Sequence, residues 1–464
     1  MSGTVDRAGY DDERFMEALH ALLGSEKRDY PSHIGGMKVA SGRDFEVRSP
    51  IDSTISFGRF QDPDAGTAGF AVEAAAAAYA SWSSTPASER AACFARALDA
   101  VRAQRYRLAA AVLLSTGMTK RESVREADRL ASVLSECVAG AQGAGKPTGV
   151  WGIATSHESP LASPAGYAAA AAIAGNAAVV APSDACPLPA FMAYSIFEKA
   201  GLPGGVVNVV VDARGEACAE LSRDDRLSGI VASGSGDRLA DMMFLQVDDE
   251  MRFVNEVKGM SPILVHKPSD AAKAAEGVLE SAFSCSGQRL YSASKVVVTA
   301  GDQKKFVEAL SDRAGKIVVG DPADDGVLAG PLISGDRMDR LLSFADRMRG
   351  RIMSGGKRVT GEFMQNGLYA APAIAFGSDG DESYVDQGIP VLFVTVSDDL
   401  DSAIEEMQET EKGLSAGMFS RDREAAKRLR EEVDAPFHHV NESSLALEPA
   451  AYAKVETFTK GRRS

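Results

Sequence analysis

From residue 149 onward, short β-branched runs alternate with stretches of helical spacing. Residues 150–154 read as a strand, followed by a helix through Ala174. Residues 176–181 read as a buried strand, 187–200 as a helix, and 206–211 and 227–232 as further strands. These runs are apolar throughout, so both faces of each strand must be covered, as crossover helices do for parallel strands. Strands alternating with helices over this length predict a parallel, doubly wound sheet. The alternation resumes beyond Gly259, near 263–265, 295–298 and 392–396. The expected fold class is therefore α/β, with two doubly wound domains.

The residues before 149 read differently. Residues 12–23 form a helix within an acidic lead-in, and 45–60 a short β region. Residues 67–82, 87–104 and 106–116 space Ala, Leu and Val as helices do. Pro86-Ala87-Ser88-Glu89-Arg90 supplies a helix start, and the glycines of 140–149 mark a turn or linker. A further helix is expected from Asp237, after a Gly-containing turn.

At 464 residues the chain exceeds one small core. A net charge of −15 argues against nucleic acid or an anionic membrane as partner. Cys93, Cys137, Cys186, Cys218 and Cys285 are odd in number and lack metal-ligand spacing. A reduced, cytoplasmic setting without disulfides or a metal site is expected. Residues 1–15 carry Asp6, Asp11, Asp12 and Glu13 and no apolar core of a signal peptide. The alanine runs break well short of the ~20 apolar residues that a membrane span needs.

The segment Phe283-Ser284-Cys285-Ser286-Gly287-Gln288-Arg289-Leu290 resembles the nucleophile loop of the aldehyde dehydrogenase superfamily. That family writes Phe, three residues, Gly-Gln, one residue, then Cys. Gly201-Leu202-Pro203-Gly204-Gly205-Val206-Val207-Asn208, Val319-Gly320-Asp321-Pro322 and Gly413-Leu414-Ser415-Ala416-Gly417 resemble other stretches of the family, in the right order. The resemblance runs from about Ser49 to Thr459. The text of 107–120 leans toward the glutamate-semialdehyde (pyrroline-5-carboxylate) branch. It implies a Rossmann-like NAD(P)-binding-type domain over 1–138 and 150–258, and a catalytic-type domain over 259–437. A reduced β oligomerisation element is expected over 139–149 and 438–464, with 452–459 as its closing strand. A homo-oligomer follows, a dimer being favoured.

Residue by residue, the resemblance departs from the family's chemistry. Leu290 stands in the cysteine slot, and leucine has no lone pair to attack a carbonyl. Glu256 keeps the general-base position, where burial could raise its pKa, or it is a solvated or Lys258-paired carboxylate. Glu158 takes the slot of the oxyanion-stabilising Asn, although a carboxylate accepts hydrogen bonds and donates none. His157 beside it is a candidate acid or base, or a structural histidine. Cys285 is a surrogate nucleophile only if its thiolate is favoured and exposed.

On the cofactor side, Ala181-Pro182-Ser183-Asp184 lacks the ribose-contacting Lys and keeps a shortened acid. Ser233-Gly234-Ser235-Gly236 stands for the phosphate-facing turn, where glycines let backbone N–H groups approach a pyrophosphate. Asp386 replaces a ribose-binding Glu and Gly388 a nicotinamide-stacking Phe. Binding of NAD or NADP is implied by the resemblance, weakened or lost by these changes. Two readings follow. The first is a catalytically degenerate family member acting as a binding, structural or regulatory subunit with a protein partner. The second is an NAD(P)-dependent oxidoreductase that oxidises an aldehyde such as glutamate semialdehyde with altered residues. A non-redox enzyme using Glu256, Glu158 and His157 is a third.

Overall fold

The computed structural model describes residues 10–25, 28–235, 251–361, 363–377, 388–410 and 413–460. Among these, the β-branched runs assemble into two seven-stranded sheets. In the first, the order is Arg252–Val257, Leu227–Gly234, Val150–Thr155, Ala177–Ala181, Val207–Val209, Ser32–Ile34 and Met37–Val39. The first five run parallel, and Ser32–Ile34 pairs antiparallel with Val207–Val209. In the second, the order is Ile352–Ser354, Ala373–Phe376, Val391–Ser397, Lys295–Thr299, Ile263–Val265, Ser415–Phe419 and Phe437–Val440. All are parallel except the edge strand Ile352–Ser354. Both sheets are mixed α/β layers with helices on their faces, as the alternating pattern requires. The helix expected from Asp237 lies outside the described residues.

Small side chains set the packing of the first sheet. Every residue of the Ala162–Ile173 helix is buried. Its alanines let it lie close to the sheet and to the Lys120–Gly140 helix. That second helix is missing from the expectations above, which followed runs of small apolar residues. Its start is nonetheless encoded. The Thr119 hydroxyl accepts from the Glu122 N–H, and the Glu122 carboxylate accepts from the Thr119 N–H, a reciprocal cap.

The C-terminal segment corrects the sequence reading. Residues 452–459 do not form one alternating strand. Val455–Phe458 is a 3₁₀ turn, and only Thr459–Lys460 is extended, antiparallel to Lys146–Pro147. Buried residues recur here at a spacing of three, Val455 and Phe458, which suits a 3₁₀ turn better than a strand. Phe458 packs edge-on against Trp151, ring centroids 4.6 Å apart. Asn176 ties the segment down, donating to Phe458 O at 2.8 Å and accepting from Gly149 N–H at 2.9 Å.

No helix among the described residues is long and apolar enough to cross a membrane.

Candidate functional site

The crevice between the two sheets collects most of the residues singled out in the sequence. Glu256 ends the Arg252–Val257 strand fully buried. Its Oε1 accepts from the Tyr291 hydroxyl at 3.0 Å and from Ala451 N–H at 2.9 Å. Its Oε2 accepts from the Tyr167 hydroxyl at 3.0 Å and the Ser233 hydroxyl at 2.7 Å. Tyr291 also lies 3.1 Å from Glu448 O, but it has one proton and the carboxylate is the stronger acceptor. Burial raises the Glu256 carboxyl, and the four hydrogen bonds pull the other way. Glu256 is thus not a solvated carboxylate. A carboxylate has about four lone-pair sites, and all four are taken.

The loop carrying Leu290 is pinned from several sides. Cys285 and Ser286 sit in the left-handed region, at φ 50° and 55°. Gly287 follows at φ 70°, where a Cβ would come within 2.7 Å of Pro390 Cα, so only glycine fits. The Gln288 side chain accepts from Ile333 N–H at 2.8 Å, and Ser286 donates to Gly330 O at 2.8 Å. Leu290 is buried and packs with Tyr291 and Leu414. It borders a small cavity of about 50 Å³ shared with Glu126, Glu158, Cys285 and Arg289.

The surroundings of Cys285 disfavour a thiolate. It is buried, and burial followed by the Glu122 carboxylate pushes its thiol well above the usual value. Its backbone N–H donates to Glu122 Oε1 at 2.7 Å, which fixes the loop path. A thiolate would need the opposite surroundings.

Glu158 is fully buried in a polar cluster. It accepts from the hydroxyls of Ser156 and Ser235, and His157 Nδ1 stands 3.7 Å away. Burial alone would raise this carboxyl. His157, Arg337 and the two hydroxyls overcome it and hold the group below the usual carboxylate range. It is therefore an acceptor at neutral pH and not a donor toward an oxyanion. His157 is driven down to about 4 by burial, despite Glu158, so its ring is neutral at neutral pH. Glu126 was not expected from the sequence. It accepts from Ser159 and from the N–H groups of Leu161 and Ala162, and burial lifts its carboxyl to about 7.

Arg337 was missed as well. It lies in the first turn of the Gly335–Arg347 helix, in no motif, and crosses the crevice to donate to Ser235 Oγ at 3.2 Å. Its guanidinium occupies the space beside Gly388: a Cβ there would lie 3.1 Å from Arg337 Nη1 and 3.4 Å from Glu158 Oε1. Any side chain at 388 would therefore press on this guanidinium, which would have to shift by a few tenths of an ångström.

Above the carboxyl ends of the first sheet lies a second cavity of about 240 Å³. Ser183 and Asp184 line it, with His157, Asp212, Asp336 and Arg337. Ser183 Oγ accepts from Ala185 N–H at 3.3 Å. Gly234 has φ 137°, and a Cβ on it would fall 2.3 Å from the Ser156 Cβ. Its glycine is thus required by packing against Ser156. Asp386 lies outside the described residues.

Residues 37–453 match the profile of the aldehyde dehydrogenase family. An alpha-ketoglutaric semialdehyde dehydrogenase of Bacillus subtilis is 26% identical over 91% of this chain and 92% of its own. A 1-pyrroline-5-carboxylate dehydrogenase of a Geobacillus species is 27% identical over 90% and 86%. Among solved structures, a 1-pyrroline-5-carboxylate dehydrogenase from Thermus with bound NAD superposes with a TM-score of 0.87. It is 23% identical and covers 96% of this chain and 91% of its own, so it shows a shared fold.

Proposed function

The chain belongs to the aldehyde dehydrogenase family, and on that premise we propose that it is a catalytically degenerate member acting as a binding, structural or regulatory subunit. The observation that carries this reading is the state of Glu256. A general base must reach the proton it removes and hold a lone pair open for it. Glu256 is buried and its lone pairs are taken by Tyr291, Ala451, Tyr167 and Ser233. Those partners come from both sheets' surroundings and from the C-terminal segment, so Glu256 works as a clamp between them. Leu290 in the nucleophile slot and a charged Glu158 in the oxyanion slot support the same conclusion. The covalent step lacks its attacking atom, and the developing oxyanion would meet a negative charge.

NAD(P) binding is plausible for a chain of this family. We propose that it is weakened here, since Ala181 offers a ribose no side-chain hydrogen bond and Arg337 takes up space beside Gly388. The division into a cofactor-type domain, a catalytic-type domain and a small β element belongs to the same proposal. So does a homo-oligomer.

The relatives named 1-pyrroline-5-carboxylate dehydrogenase favour a second reading, an NAD(P)-dependent aldehyde oxidation with altered residues. The test is aldehyde-dependent formation of reduced cofactor over a panel that includes glutamate semialdehyde, with NAD⁺ and NADP⁺. No turnover is expected. Turnover abolished by Glu256→Gln or by blocking Cys285 would replace the first reading with the second.

A further inference from the structure

In an open α/β sheet the ligand binds beyond the carboxyl ends of the strands, where the strand order reverses. Here that point lies between Val150–Thr155 and Leu227–Gly234, beside the cavity of about 240 Å³. A dinucleotide brings two anionic phosphates to this place and asks for N–H donors or cations. Among the described residues, the lining of this cavity is mostly acceptors. Three successive strands end in acceptors: His157 after the first, Asp184 after the second and Asp212 after the third. Asp336 adds another carboxylate from the facing helix. Among the described residues, the cation lining the cavity is Arg337, whose Nη2 donates to Ser235 and which stands beside Glu158. Gly234, the glycine that would admit a phosphate, is accounted for by Ser156.

Two of these acceptors are buried and unsatisfied. Asp212 is 1% exposed; its Oδ2 accepts from Cys218 N–H at 2.8 Å, and its Oδ1 has no hydrogen-bond partner. His157 is 6% exposed, and its Nε2 has none either. With the ring proton on Nδ1, assigned from the Glu158 carboxylate beside it, Nε2 presents a lone pair. Buried acceptors are rarely left unpaired, and an unpaired one needs an explanation such as an absent ligand.

We propose that this crevice binds a small organic cation with a primary ammonium group. Asp212 and Asp184 hold the ammonium, and His157 Nε2 accepts a hydrogen bond from the ligand. A diamine or a guanidino-amine supplies such a cation. The inference rests on the reading that aldehyde oxidation is not retained.

Titration calorimetry on the full chain tests it, with putrescine, agmatine, NAD⁺ and inorganic pyrophosphate as probes. One amine is expected to bind, and to bind at least tenfold more weakly to Asp212→Asn and to Asp184→Asn. Pyrophosphate is expected to give no heat. If Asp212→Asn fails to fold, Asp184→Asn, at a partly exposed position, carries the comparison. Tighter binding of NAD⁺ or pyrophosphate than of either amine overturns the inference. So does amine affinity that neither variant changes, or no amine heat at all. Absent amine binding together with absent aldehyde turnover removes this inference alone, whereas NAD⁺-dependent turnover removes the degenerate reading as well.

Discussion

Replacing Glu126 by Gln should make the protein more stable, and only above a certain pH. Glu126 is 6% exposed, and burial raises its carboxyl from the usual 4.5 to about 7 against the pull of Ala162 N–H, Ser159 and Leu161 N–H. At about 1.4 kcal/mol per pH unit, that gap makes the charged form less favourable in the folded protein by about 3 kcal/mol. The sign follows from proton counts. Between 4.5 and about 7 the folded chain keeps a proton that the unfolded chain has lost. Stability from this group is therefore fully present below 4.5 and lost as pH rises through about 7. Glutamine keeps an oxygen for the two N–H groups and cannot ionise. The variant should match the parent near pH 4.5 and exceed it by up to about 3 kcal/mol near pH 8. Urea midpoints at unchanged slope, measured across that range, give the difference curve. His157 runs the other way: its folded value of about 4 lies below the usual 6.5, so its contribution is lost as pH falls from 6.5 to about 4. It is present in both proteins and cancels in the difference. A difference that is constant with pH, or a variant weaker near pH 8, refutes the argument.

Tyr167→Phe removes one of four donors to buried Glu256 and should lower stability by about 1.5–3 kcal/mol, read from denaturant midpoints; an unchanged midpoint would mean that Glu256 does not depend on this clamp. Leu290→Cys should not restore aldehyde-dependent NADH formation, because Glu158 and Glu256 remain as they are, and loss of an oxyanion donor alone slows acyl transfer by about 10²–10³. Robust turnover by that variant would show that those two sites are still competent. Cys285 should resist a thiol reagent at neutral pH in the folded protein and react on unfolding; rapid labelling of the native state would contradict its burial.

What the sequence determined follows from local, periodic information. The helices Asp12–Leu23 and Ala87–Ala103 and the strands Ile263–Val265 and Ala177–Ala181 lie within a residue or so of their expected ranges. Apolar spacing and caps act over a few residues and are written where they operate. The Leu290, Glu158 and Gly388 positions were legible for a related reason, since each sits in a long motif whose order is readable along the chain. Tertiary structure alone decided what those positions do. Glu256 became a saturated clamp because Tyr167, Tyr291 and Ala451, 89, 35 and 195 residues away, converge on it. Arg337 reaches Ser235 across 102 residues. Val455–Phe458 turned into a 3₁₀ segment because Phe458 had Trp151 to pack against. Hydrogen-bond saturation, desolvation and the tight fit of a guanidinium beside Gly388 are properties of distances between remote residues. No local pattern carries them, so the chain alone gave the family's scaffold, and its packing gave the state of the site.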